Sequence, residues 1–173
     1  MNRNIILIGI TGVGKTTIGK ALSEILQVGF IDLDKSIEQH CGVDISTIFA
    51  IEGESGFRER ETDELKRTID TNNNFVLSVG GGCVLSKENR QLIASGTNLV
   101  VQLYADLEIL IGRLSKSAGK RPLLNDDDIS SKISQLYESR KELYDKITDF
   151  KVNTSNIKAM QVVEEIVTHL NLK

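Results

Sequence analysis

The stretch "GITGVGKT", Gly9 to Thr16, could bind phosphate. It matches G-x-x-x-x-G-K-[ST] in full and lies between a predicted strand and a predicted helix, as a phosphate-binding loop requires. Its glycines let backbone N–H groups point inward, and the following helix adds its positive N-terminus. Lys15 can reach the β- and γ-phosphates, and the Thr16 hydroxyl can ligate Mg²⁺. We therefore predict a nucleoside triphosphate site rather than a Gly-rich turn without a ligand.

A second stretch, "FIDLD", places Asp32 and Asp34 at the end of the next predicted strand. Ligands of open parallel sheets bind beyond the carboxyl ends of the strands. Alternation along a strand would put both carboxylates on one face, toward the nucleotide. Asp32 could then hold Mg²⁺ through water. The alternative is that Asp34 simply caps the following helix.

Three further stretches could form a second site. In "GFRERE", Arg58 and Glu61 are i, i+3 neighbours that can pair on a helix. The glycines at 80–82 indicate either backbone lying close against another group or a flexible loop. "GKRPLLNDDD", with Arg121, suits a mobile lid between two helices. By themselves, Arg60 and Arg140 are typical of a solvated helix surface.

Several classes of nucleotide-binding protein fit poorly. The chain has no Asn-Lys-x-Asp motif, which a GTPase would use to read the base. The third predicted strand, "FVLSV", is followed by Gly80 rather than the acidic residue usual in motor, transporter and AAA-type ATPases. A nucleotide-sensing module and a small-molecule kinase remain, and only the kinase needs an acceptor site.

The bulk composition is that of an ordinary globular domain, with 40% hydrophobic and 26% charged residues. The net charge of −3 favours neither nucleic acid nor an anionic membrane as a partner. The apolar run near the N-terminus is too short to span a bilayer and lacks a signal-peptide pattern. Cys41 and Cys83 are expected to be reduced thiols in the cytoplasm.

Short apolar runs alternate with helical segments along the chain. Strands that are apolar throughout, each followed by a helix, predict a three-layer α/β domain with a parallel sheet. The predicted strands are "NIILIG", "VGFID", "FVLSV", "NLVVQLY" and "FKVNT". The predicted helices are 16–26, a polar region at about 34–70 broken near Gly42 and Gly53, a helix capped by Ser86, 106–114, 129–144, and a closing helix with Val163, Ile166, Val167 and Leu170.

In order and spacing, "GITGVGKTTIGKALS", "FIDLDKSIE", "IFAIEGESGFRERE", "VLSVGGGCV", "KRPLLN" and "YESRKELY" resemble the shikimate kinase family over nearly the whole chain. The resemblance implies a P-loop NTPase α/β/α fold with a five-stranded parallel sheet in the order 2-3-1-4-5. It also implies a single domain, 1–173, with a substrate-binding helical region at about 34–70 and a lid at about 115–128. The implied reaction transfers the γ-phosphoryl group of ATP to the 3-hydroxyl of shikimate, a step in aromatic amino acid biosynthesis.

The resemblance also implies residue roles. Glu61 would orient Arg58, the turn at 155–157 would contact the base, and Cys83 would be a spectator. The implied catalytic residues are Lys15, Asp34 and Arg121. The implied nucleotide contacts are Gly12, Val13, Gly14, Lys15, Thr16, Thr17, Arg113 and Arg121. The implied acceptor contacts are Asp34, Arg58, Gly80, Gly81 and Arg140, and the Mg²⁺ contacts are Thr16 and Asp32.

The expected ligands are ATP, Mg²⁺ and shikimate, bound by a cytoplasmic monomer. Two alternatives stay open: a kinase of another polyol acid such as gluconate, and a catalytically silent nucleotide-binding module. The set of Arg58, Glu61 and Arg140 speaks against the first alternative. The intact phosphate-binding residues and Arg121 speak against the second.

Overall fold

The computed structural model of the chain describes residues 3–96, 98–115 and 129–171. The strands are β1 (Ile5–Ile8), β2 (Gly29–Asp32), β3 (Phe75–Ser78), β4 (Leu99–Tyr104) and β5 (Phe150–Asn153). The helices are α1 (Lys15–Leu26), α2 (Leu33–Cys41), α3 (Ile45–Thr71), α4 (Lys87–Ile93), α5 (Leu107–Ser115), α6 (Ile129–Asp145) and α7 (Ala159–His169), with a short 3-10 helix at Cys83–Leu85.

The five strands form one parallel sheet in the order β2-β3-β1-β4-β5, which confirms the predicted topology. All four residues of β1 and of β3 are buried, as expected for strands covered on both faces. Asp32, at the end of β2, pairs in register with Ser78, and Ser78 also pairs with Leu7 of β1. The carboxyl ends of β1, β2 and β3 therefore meet at one edge of the sheet.

Two hydrophobic clusters cover the two faces of the sheet. Alternation along β1 sends Ile5 and Leu7 into one cluster and Ile6 and Ile8 into the other. The first cluster contains core residues of α1, α5 and α7, and the second contains core residues of α2, α3 and α4. This is the predicted three-layer arrangement, and it holds the helices that carry the candidate site against the sheet.

The helical region after β2 breaks at both predicted glycines. Helix α2 ends at Gly42, in left-handed conformation with φ 70°. Asp44 caps α3 by accepting a hydrogen bond from the backbone N–H of Thr47 at 2.7 Å. Within α3, Gly53 has φ 69° and ψ −172°, so the helix is kinked there. Glycine adopts this left-handed φ without the steric cost of a Cβ atom.

Other predicted boundaries also agree. Ser86 caps α4 by accepting a hydrogen bond from the Asn89 backbone N–H at 3.3 Å. Among the described residues, no helix is both long enough and apolar enough to cross a membrane. The predicted lid at about 115–128, including Arg121, lies outside the described residues except for Ser115.

Candidate active site

The phosphate loop, Gly9–Thr16, connects β1 to α1 at the carboxyl edge of the sheet. Gly14 precedes α1 with φ 97°, a left-handed conformation that glycine favours. A Cβ atom at Gly9 would overlap the backbone carbonyl oxygen of Leu103 in β4. The first turn of α1 contains no acidic side chain, so nothing there opposes the positive helix terminus. The loop thus has the form of an anion cradle.

Lys15 folds back across the phosphate loop. Its Nζ donates hydrogen bonds to the carbonyl oxygens of Gly9 at 2.8 Å and Ile10 at 3.1 Å. The ammonium group is therefore held at the loop, where phosphate oxygens would bind. Two neighbours predicted to contact nucleotide differ in exposure: Val13 packs its side chain into the core, whereas Thr17 is exposed. The side chain of Val13 is therefore a core residue and not a ligand contact.

Thr16 and Asp32 lie together beside the loop. The Thr16 hydroxyl donates to Asp32 Oδ2 at 2.8 Å, and Asp32 Oδ1 accepts from the backbone N–H of Lys35 at 3.4 Å. These are hard oxygen ligands, the type that Mg²⁺ prefers, and Mg²⁺ commonly keeps several waters and few protein contacts. The pair therefore fits the predicted metal site.

The structure corrects the predicted position of Asp34. Strand β2 ends at Asp32 and α2 begins at Leu33, so Asp34 lies in the first helical turn. The expectation that strand alternation aligns both carboxylates is wrong, because Asp34 is not in the strand. The suggestion that Asp34 caps the helix is also wrong, since Asp32 is the cap.

Asp34 is nevertheless directed into the candidate site. A Cβ atom at Gly80 would lie 3.0 Å from Asp34 Oδ1, so this carboxylate lies against the backbone that follows β3. Burial, followed by the charge of Asp32, raises the Asp34 pKa, whereas Lys15 and Arg58 act to lower it. A carboxyl group with this balance is suited to hold, and to accept, a proton.

Arg58 and Glu61, both on α3, form the ion pair predicted from their spacing. Arg58 Nη1 donates to Glu61 Oε2 at 2.8 Å, and the Glu61 side chain is only 1% exposed. Arg58 Nη2 also donates to Glu54 Oε1 at 3.1 Å. Burial raises the Glu61 pKa, and the Arg58 charge opposes that shift. Arg60, on the same helix, pairs with Glu52 away from the site, as expected of a surface residue.

The glycine loop, Gly80–Gly82, lies close against four neighbouring residues. At Gly80, a Cβ atom would be 3.0 Å from both Asp34 Oδ1 and Glu61 Oε1. At Gly82 it would overlap the Arg58 guanidinium, and at Gly81 it would be 3.1 Å from the Thr11 backbone nitrogen. None of these three glycines has a positive φ. These glycines let the backbone lie close against other groups, which is one of the two predictions made for residues 80–82.

Helix α6 brings Arg140 to the same region. Tyr144, one helical turn later, donates its hydroxyl to the Gly81 carbonyl oxygen at 2.5 Å and is 3% exposed. The positive charge of Arg140 acts to lower the pKa of both the Tyr144 hydroxyl and the Glu61 carboxyl group, so its guanidinium lies near both. Tyr144 was missed by the sequence reasoning, although its i, i+4 spacing from Arg140 could have suggested a shared helix face.

Four polar groups of this cluster are buried without a hydrogen-bond partner among the described residues. They are Asp34 Oδ1, Arg58 Nε, Glu61 Oε1 and Arg140 Nε. Such groups are rare and costly in folded proteins unless a ligand or water satisfies them. The two acceptors, Asp34 Oδ1 and Glu61 Oε1, both lie against Gly80, and the next residue, Gly81, lies against the phosphate loop at Thr11.

Arg113, from α5, connects the phosphate loop to the turn after β5. Its guanidinium donates to the Thr154 carbonyl oxygen at 2.6 Å, to Thr154 Oγ1 at 3.2 Å and to the Gly12 carbonyl oxygen at 3.5 Å. Thr154 immediately precedes the residues 155–157 predicted to contact the base. The structure thus brings Arg113 and the segment predicted to contact the base together beside the phosphate loop.

Comparison with known proteins gives one consistent family. The family model for shikimate kinase matches residues 11–171. The chain is 44% identical over 168 residues to a shikimate kinase of Francisella philomiragia, which covers 97% of this chain and 94% of that protein.

Solved structures agree with this result. A shikimate kinase from Acinetobacter baumannii in complex with shikimate superposes with a TM-score of 0.91 at 34% identity, covering 97% of this chain and 92% of that chain. A shikimate kinase from Bacteroides thetaiotaomicron gives a TM-score of 0.90 at 31% identity, covering 99% of both chains.

Proposed function

The chain belongs to the shikimate kinase family and is an ATP-dependent phosphotransferase, and we propose that it transfers the γ-phosphoryl group of ATP to the 3-hydroxyl of shikimate at the cluster beside the phosphate loop. The observation that carries this placement is that Asp34, Arg58, Glu61 and Arg140 each have a buried polar atom with no hydrogen-bond partner among the described residues. Shikimate is a triol with one carboxylate. It offers hydroxyl donors for the carboxylates and a carboxylate for the guanidinium donors.

The acceptor binds through complementary charge and hydrogen bonds. Arg58 and Arg140 hold the carboxylate of shikimate, because planar guanidinium groups recognise carboxylates with paired hydrogen bonds. Glu61 fixes Arg58 in place through their buried ion pair. Asp34 binds the reacting hydroxyl, and the backbone at Gly80 and Gly81 lies alongside the ring.

The phosphate groups bind at the phosphate loop. The inward N–H groups, the α1 terminus and Lys15 neutralise their oxygens, and Lys15 exchanges its carbonyl partners for phosphate. Thr16 and, through water, Asp32 would hold Mg²⁺, which would neutralise phosphate charge. Arg121 adds a further cation from the lid. Arg113 lies against the adenine ring, and residues 155–157 contact its edge.

The reaction depends mainly on alignment. Phosphoryl transfer passes through a loose transition state that needs little base assistance. Asp34 therefore orients the hydroxyl first and accepts its proton as the new bond forms. The raised pKa of Asp34, caused first by burial and then by Asp32, makes the carboxylate a better proton acceptor than an exposed aspartate.

Steady-state kinetics of Arg58→Ala and Arg140→Ala test the acceptor placement. Each variant should raise the KM for shikimate about 10- to 100-fold, since each loses hydrogen bonds between charged groups. The KM for ATP should stay near the wild-type value. Arg60→Ala is the matched control, because Arg60 lies on the same helix as Arg58 and pairs with Glu52 instead. A selective loss of ATP affinity in Arg58→Ala or Arg140→Ala would contradict the placement.

Assembly state and compartment follow the same proposal. One chain supplies every residue assigned above, so the proposed site needs no second subunit, and we propose a monomer that draws its ATP from the cytoplasm. Size-exclusion chromatography with light scattering gives the molar mass in solution and thereby tests the monomeric state.

A further inference from the structure

Arg58 has two carboxylate partners of opposite character. Its Nη1 is 2.8 Å from Glu61, whose side chain is 1% exposed, and its Nη2 is 3.1 Å from Glu54, whose side chain is 66% exposed. Breaking a buried ion pair leaves an uncompensated charge and is costly. An exposed i, i+4 pair contributes little, because water screens it. Arg58 therefore has one permanent partner and one exchangeable partner.

Glu54, the exchangeable partner, occupies the edge of the Arg58 guanidinium that an incoming carboxylate would bind. In a guanidinium group, the Nε–H bond and one Nη2–H bond run parallel and form a fork that matches two carboxylate oxygens. In Arg58, Nε is buried and has no hydrogen-bond partner among the described residues, while Nη2 binds Glu54. Of the two donors in this fork, Nε is unpaired, and Nη2 is bound by Glu54.

The kink in α3 accounts for the position of Glu54. Glu54 directly follows Gly53, where the backbone leaves the helical conformation, so it begins a new helical segment one turn before Arg58. A carboxylate is favourable at such an N-terminal position. On the other side of the kink, Glu52 turns away and pairs with Arg60 at 2.6 Å. The two glutamates that flank Gly53 thus serve different arginines.

We propose that Glu54 is an internal competitor for the acceptor's carboxylate. It binds Nη2 of Arg58 in the free protein and is displaced when shikimate binds the fork. This inference rests on the proposed placement of the shikimate carboxylate at Arg58. An anionic acceptor replaces the charge partner that Arg58 loses when Glu54 is displaced. Glu54 therefore weakens the binding of any ligand that uses the fork, because its ion pair with Arg58 must first break.

Glu54→Gln tests the proposal, because it keeps the shape of the side chain and removes its charge. The KM for shikimate should fall about two- to fivefold, the range expected for losing competition from an exposed ion pair. The Kd for shikimate without nucleotide, measured by calorimetry, should fall by the same factor, with kcat and the KM for ATP unchanged. Glu52→Gln is the matched control and should behave as wild type.

A neutral ligand separates competition from a structural effect. A neutral analogue of shikimate that lacks the carboxyl group cannot use the Arg58 fork, so its Kd should be the same in Glu54→Gln and wild type. An equal gain for shikimate and this analogue would overturn the proposal. A raised KM for shikimate would also overturn it, since Glu54 would then position Arg58 as Glu61 does.

Arg58→Ala separates a wrong placement of the carboxylate from a wrong role for Glu54. If that variant leaves the KM for shikimate unchanged, the placement of the carboxylate fails and the competitor role fails with it. If Arg58→Ala raises the KM while Glu54→Gln matches Glu52→Gln, the placement stands and only the competitor role is wrong.

Discussion

Asp34 shows how one residue can serve activity at the expense of stability. Its carboxylate lies against Gly80, and burial followed by the charge of Asp32 raises its pKa. A raised carboxyl pKa means that the folded protein favours the protonated form. The charged form needed to bind an acceptor hydroxyl is thus disfavoured by the fold until substrate arrives.

Asp34→Asn should separate the effect of Asp34 on activity from its effect on stability. The variant should lower kcat with shikimate by about 10²- to 10⁴-fold, the usual range for losing a proton acceptor. The free energy of unfolding at pH 7 should not fall, because a buried charge has been removed. Coupled ADP release and thermal unfolding measure the two quantities. Near-wild-type turnover, or clear destabilisation at pH 7, would contradict the role assigned to Asp34.

The pH dependence gives the sign of the stability effect. Because the folded-state pKa of Asp34 is raised, its favourable contribution is complete below its ordinary pKa of 3.8 and is lost as pH rises through the folded pKa. The stability of Asp34→Asn relative to wild type should therefore grow from pH 4 to pH 7. Asp44→Asn is a control of opposite sign, since hydrogen bonds from Thr47 lower the Asp44 pKa and that contribution is lost as pH falls.

The residue types of the site could be predicted more reliably than their local structure. The predicted strand "VGFID" ends at Asp32, as β2 does, but extending strand alternation to Asp34 was wrong, because α2 begins at Leu33. That boundary depends on Asp32 serving both as helix cap and as partner of Thr16. The second role arises from a contact between residues 16 positions apart, which local spacing does not contain.

The elements of the site are held together by close backbone approach. The glycine loop lies against α2 through Asp34, against α3 through Arg58 and Glu61, and against α6 through Tyr144. One short connection after β3 therefore sets the relative positions of three helices. Small changes in side-chain volume there should alter acceptor binding before they unfold the protein.

Gly82→Ala tests whether acceptor binding depends on side-chain volume in the glycine loop. Gly82 has φ −94° and ψ −8°, which alanine adopts readily, but the added Cβ atom would overlap the Arg58 guanidinium. The KM for shikimate should rise about tenfold or more as Arg58 is displaced, with a stability loss of about 1–3 kcal/mol from overpacking. Enzyme kinetics and denaturant unfolding give both values.

Gly29→Ala is the matched control for this variant. A Cβ atom at Gly29 would have no heavy atom within 4 Å, so its KM for shikimate should equal that of wild type. Wild-type affinity in Gly82→Ala would show that Arg58 can bind the acceptor from another position.

Among the helix boundaries and loop contacts, those that depend on neighbouring residues could be predicted from the sequence. Gly42 and Gly53 interrupt the helical pattern, and both breaks occur in the structure. The contact between Tyr144 and Gly81 joins residues 63 positions apart, and its residue types alone do not reveal it. Pairings at such separation depend on how the whole sheet is assembled.

The whole molecule is organised by one sheet between two hydrophobic clusters. Both clusters contain residues of β1, β3 and β4, so neither can be exposed without disturbing the other. Periodicity and strand composition were enough to predict the three layers. The order of the strands was predicted only from the family resemblance, because apolar runs do not state which strand lies beside which.

This shared sheet predicts a single cooperative unfolding transition for the domain 1–173. Far-UV circular dichroism and the near-UV signal of the three tyrosines should give the same midpoint on heating. Saturating shikimate should shift both signals together, because a ligand of the folded state stabilises the whole cooperative unit. Separate midpoints would show that the helical region at about 34–70 unfolds independently of the sheet.

Arg113 places a limit on engineering this protein for another nucleotide. Its guanidinium joins the phosphate loop at Gly12 to Thr154, next to the residues proposed to contact the base. A library that varies only positions 155–157 would leave this connection intact and would explore base preference on a fixed phosphate site. A library that also varies Arg113 or Thr154 would change two binding surfaces at once, so selection would favour variants that repair the connection before any that change base preference.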